Sequence, residues 1–64
     1  MAASTETVAL GLLERDGIAG IWKLHLEAAA IYQDSHRDAA EILIDIADAA
    51  EEIFWRRVRA SRTT

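Results

Sequence analysis

The sequence predicts an all-α fold, an antiparallel helical hairpin or a three-helix unit that completes its bundle by oligomerisation. Three observations point there. The 64 residues hold no Pro, three Gly and thirteen Ala, and a composition rich in Ala, Leu, Glu and Arg favours helix along the whole chain. Apolar residues recur at intervals of three and four, with no strand-like alternation. Two short breaks, Asp16-Gly17 and Asp34-Ser35, divide the chain into helical segments.

The first segment, helix A, is expected over about 5–15. Ser4 or Thr5 can cap it, and Glu6 suits the positive end of the helix dipole. Val8, Leu12 and Leu13 form its apolar side. Gly17 tolerates the left-handed turn that ends helices. Helix B follows over about 18–33. Ile18, Ile21, Trp22, Leu24, Leu26, Ile31 and Tyr32 cover nearly its whole circumference, leaving a narrow wet stripe of Lys23, Glu27, Ala30 and Asp34. A helix apolar nearly all round is expected to be buried. If Asp16-Gly17 only kinks the chain, A and B become one arm. Leu10, Leu13, Gly17, Gly20, Leu24, Ala28 and Ile31 then make one seam.

Helix C is expected over about 36–60. Ser35 with Asp38 has the form of a capping box. Ala39, Leu43, Ile46, Ala50 and Ile53 give the core stripe, widened by Ile42, Ala49, Phe54 and Val58. Residues 40–54, with Ala, Ile and acidic residues in heptad-like order, resemble the second helix of the Rop hairpin proteins. That resemblance implies two hairpins paired in a four-helix bundle. Rop-type proteins read RNA through basic and polar residues on the first helix. Here that helix offers little besides Arg15 and Lys23, so RNA reading does not carry over.

At this length the chain is one domain, residues 1–64, and buries only about 60% of its unfolded surface. With no Cys, neither a disulfide nor a thiolate metal site can add stability. Tight helix packing or a partner chain remains. Residues 1–10 lack Lys, Arg and a sustained apolar run, so no secretory leader is expected. No stretch reaches the ~20 apolar residues of a membrane span. A cytoplasmic location is expected. The net charge of −4 argues against general nucleic-acid binding.

Glu41, Asp45, Asp48 and Glu52 are spaced four, three and four residues apart and share one side of helix C. They form either a solvated face or a docking face for a basic surface. Four charges over about 16 Å are sparser than duplex DNA, which carries one per about 1.7 Å. Arg56, Arg57, Arg59 and Arg62 follow at the basic end, where cations complement the dipole. They also offer a contact for phosphate or for an acidic partner. Trp55 follows the acidic side, with Asp48, Glu51 and Glu52 a turn or two before it and Ile44 on the same side. An apolar pair outside the core and rimmed by charge has the character of an interface.

His25 and His36 stand alone. With no Glu-x-x-His or His-x-x-x-His pair, no metal site is expected. No Gly-rich phosphate loop or nucleophile–base set points to an enzyme or a cofactor. The expected function is a non-enzymatic protein-binding module, regulatory or adaptor in character. The expected partners are a second copy and another protein with a basic surface. One alternative is a mobile-element inhibitor of the anti-CRISPR type, acting through the acidic face on a nucleic-acid-processing complex. Another is a Rop-like dimer binding RNA through paired Arg clusters.

Overall fold

The computed structural model describes residues 4–62. Two helices, α1 (Thr5–Gln33) and α2 (Arg37–Arg62), pack against each other as a hairpin. Among the described residues there is no strand. Of the two architectures open at the sequence level, the hairpin is the one formed.

Ser4 caps α1: its Oγ accepts the Thr7 backbone N–H at 3.1 Å, satisfying one of the orphan donors of the first turn. At Asp16-Gly17 the arm is kinked, with helix on both sides. Gly17 has non-helical dihedrals inside α1, φ 63° and ψ −154°, a region essentially restricted to glycine. The arm therefore bends, and its two halves share one core. The bend also brings the Asp16 side chain over the next turn. A Cβ at Gly20 would lie 2.6 Å from Asp16 Cβ, so that position is closed to any larger residue. Along the line drawn for a single arm, Leu13, Gly20 and Ala28 are buried and Leu10, Gly17, Leu24 and Ile31 half-buried, while the core cluster also takes Ala9 and Ile21, which that line leaves out.

The turn differs from the capping box expected at Ser35 and Asp38. Ser35 adopts a left-handed φ of 69°. Its N–H donates to the Tyr32 carbonyl at 3.1 Å, and the His36 N–H donates to the Ile31 carbonyl at 3.2 Å. These are the two bonds of a Schellman motif, which ends α1 by satisfying its last carbonyls. Ser35 belongs to the C-terminus of α1 and does not cap α2. The ladder of α2 opens with the Ala40 N–H donating to the His36 carbonyl at 3.0 Å. The Arg37 guanidinium sits 5.4 Å from the centre of the Tyr32 ring, a cation–π contact across the turn.

Small residues build the core. Ala9, Leu13, Ile21, Ala47 and Ala50 form the buried cluster, with Leu12, Leu24, Ile46, Ala49, Ile53 and Phe54 packed against it. Ala28 and Ala40 are buried as well. Alanines at the contact let helix axes approach closely, but they bury little area each. The core line on α2 therefore runs through Ala40, Ala47 and Ala50. Ala39 and Ile42, placed on the core stripe from spacing, are exposed.

The second half of α1 was expected to be buried all round, and it is not. Trp22 is 67% exposed, Leu26 70% and Ile18 47%. A helix with one neighbouring arm can bury one side only. The apolar residues on the far side of α1 are left in solvent.

Candidate functional site

Trp55 and Trp22 define the principal surface feature. Trp55 projects from α2 at the side of the core and is 49% exposed. Its ring meets Phe54 edge-on, with centroids 5.4 Å apart and planes at 76°. Phe54 is itself half-buried against the core, so this edge-to-face contact steadies the indole at the surface. Across the helix pair, Ile18, Ile21, Trp22 and His25 come up from α1. Together with Glu51 and Trp55 they line a groove of about 270 Å³.

Helical phase explains the arrangement. Ile18, Trp22 and His25 are four and three residues apart and share one side of α1. Glu51 and Trp55 are four apart on α2. The hairpin sets these two rows beside each other, apolar except for His25 and Glu51. The opposite side carries a second shallow groove lined by Val8, Gly11, Leu12, Arg15, Leu24, Leu43 and Ile46, without an aromatic ring.

The acidic row lies next to the Trp groove. Glu41, Asp45, Asp48 and Glu52 are all exposed, while Ala40, Ala47 and Ala50 of the same helix are buried. The row therefore faces away from the core. Glu52 accepts a hydrogen bond from Arg56 at 3.1 Å, an exposed i,i+4 pair that contributes little to stability. Arg57, Arg59 and Arg62 are exposed at the end of α2, and Ile44 is half-buried. The structure thus gathers Trp55, Glu51 and Asp48 at one place, as their spacing predicts. The Arg end lies one to two turns beyond.

The α1 half of the groove was assigned to a buried helix on sequence alone. The signal that identifies it is phase. Trp22 follows the buried Ile21 by one residue, about 100° round the helix, so it stands at the flank of the core beside Ile18 and His25.

One group of donors spans both helices. His25, Asp48 and Glu51 each present a ligand-type atom, and these atoms lie within 4.8 Å of one another. Motif spacing along one helix does not reveal this set, because its histidine comes from the other arm.

Comparison of the chain with protein families, with curated proteins and with solved structures finds no match. Among the described residues, no helix is long and apolar enough to cross a membrane. The fold and surface define an amphipathic helical hairpin with one aromatic face and one acidic row.

Proposed function

We propose that this chain is a non-enzymatic protein-binding module that works as a homodimer. A second copy covers the Trp22–Trp55 face, and the carboxylate row docks a basic protein in a regulatory or adaptor role. The exposed pair of tryptophans on one face carries this reading. Large aromatics lose burial energy in solvent, and Trp is enriched where protein interfaces bind most strongly.

The surface area supports a second chain. The molecule exposes 4929 Å², where a compact chain of 7.1 kDa exposes about 4,100 Å². The excess of about 800 Å² is surface that two helices alone leave open. Two hairpins stacked face to face make a four-helix bundle, the arrangement in which short helices most readily share a core. In that assembly the acidic row, which points away from the core of its own hairpin, remains outside. Carboxylates placed there speed encounter with a basic surface.

Sedimentation equilibrium at micromolar concentration tests the assembly. The expected species has twice the 7.1 kDa chain mass. A single species at the chain mass over the whole range overturns the dimer.

A further inference from the structure

We propose that His25, Asp48 and Glu51 form a binding site for a divalent transition-metal cation of the zinc class. The inference goes beyond the docking role; Asp48 belongs to both surfaces, so a bound cation takes it out of the row that meets a basic partner. Three observations support it. The first is convergence: an imidazole from α1 and two carboxylates from α2 place their donor atoms within 4.8 Å of one another. Asp48 and Glu51 are three residues apart on α2, so both carboxylates point to the same side. The donors of a tetrahedral zinc ion are about 3.3 Å apart, given metal–ligand distances of about 2.0–2.1 Å. Asp48 and Glu51 are exposed and free to swing inward by the remainder.

The second observation is charge. Among the described residues the ion pairs are Arg15–Asp16 and Arg56–Glu52. Neither involves Asp48 or Glu51, although these carboxylates are adjacent. A divalent cation held between them neutralises both. The third observation is the setting. His25 is half-buried, and the groove beside it is walled by Ile21, Trp22 and Trp55. That wall partly shields the imidazole from solvent on one side.

The donor set selects the class of ion. One imidazole nitrogen with two carboxylate oxygens suits zinc and its neighbours, whereas calcium and magnesium prefer oxygen alone. Three protein donors leave the remaining coordination positions to water.

The experiment is a calorimetric titration of the full chain with zinc chloride. A saturable isotherm with one ion per chain is expected. His25→Ala, and separately Asp48→Asn combined with Glu51→Gln, are each expected to weaken binding at least about tenfold, the smallest loss typical of disturbing even an outer partner of a metal ligand. Glu41→Gln combined with Asp45→Asn changes the same acidic helix outside the triad and is expected to leave affinity unchanged. Imidazole NMR on the unaltered protein gives a readout that no variant can spoil by misfolding. Zinc is expected to shift the resonances of His25 and leave those of His36 in place. Four results overturn the site: no saturation, a response at His36 instead, affinity kept in the triad variants, or affinity lost in the Glu41 and Asp45 variant.

Discussion

At Gly17 the backbone takes φ 63° and ψ −154°, and no heavy atom lies within 4 Å of where a Cβ would stand. Substitution there meets backbone strain rather than a clash. Gly17→Ala is expected to cost about 1–3 kcal/mol, a large share of the ~5 kcal/mol that so short a chain can hold. Gly11 is the internal control. It is exposed in α1 with open space around it, so Gly11→Ala is expected to gain about 0.5–1 kcal/mol from helix propensity. Circular-dichroism melts check the pair. A Gly17→Ala variant that melts at or above the parent temperature would mean that α1 runs straight. A second pair tests the core. Ile46 packs against the buried cluster, so Ile46→Asp places an unpaired charge there and is expected to unfold the chain. Glu41→Ala removes one of several like charges from an exposed face and is expected to be neutral or mildly stabilising. Equal melting points would show that the core faces another way. At this scale the sequence spoke clearly about residue type and less clearly about phase. Ala39 and Ala40 are neighbours of one type, and only packing distinguishes the exposed one from the buried one.

Between the residues and the molecule stand the two helices and their turn. α2 was legible because its apolar residues are one-sided, and its acidic row follows directly from spacing. α1 was legible as a seam only on the condition that Asp16-Gly17 kinks the chain; with the kink in place, every residue of the line from Leu10 to Ile31 is buried or half-buried. Its exposed side was not legible, because an apolar side pressed against a neighbour and one open to solvent have the same composition. The turn was misread for a related reason. Ser can cap a helix start or occupy a left-handed helix end, and the fold uses the second option at Ser35. A left-handed non-glycine residue costs about 1–2 kcal/mol. Ser35→Gly is therefore expected to raise stability by about 1 kcal/mol, read from the urea midpoint at an unchanged denaturant slope. A lowered midpoint would mean that the Ser35 side chain contributes more than its backbone costs.

For the whole molecule, the central balance is between a core of small residues and a surface with large ones. The cluster that holds the hairpin includes three alanines, while Trp22, Leu26 and Ile18 stand in solvent. The proposed second copy resolves that imbalance. It leaves the acidic row to a basic partner, whose association should fall steeply with salt. Asp48→Lys with Glu52→Lys is expected to slow that association strongly at low salt and to leave folding intact. An unchanged rate would shift the role to Arg56, Arg57, Arg59 and Arg62. The all-α class and the acidic row were readable before the fold was known, while the hairpin and its seam stood as one of two alternatives. The groove and the three-donor cluster were not readable, because each is made by residues of two arms that meet only through packing.

Tryptophan fluorescence tests the central claim most directly, because the chain has two tryptophans and both line the groove. On dilution from micromolar to nanomolar concentration, emission is expected to shift to the red and iodide quenching to rise, as both indoles pass from a shared interface into water. Emission and quenching that stay constant over that range, with both rings accessible at the highest concentration, would contradict the account.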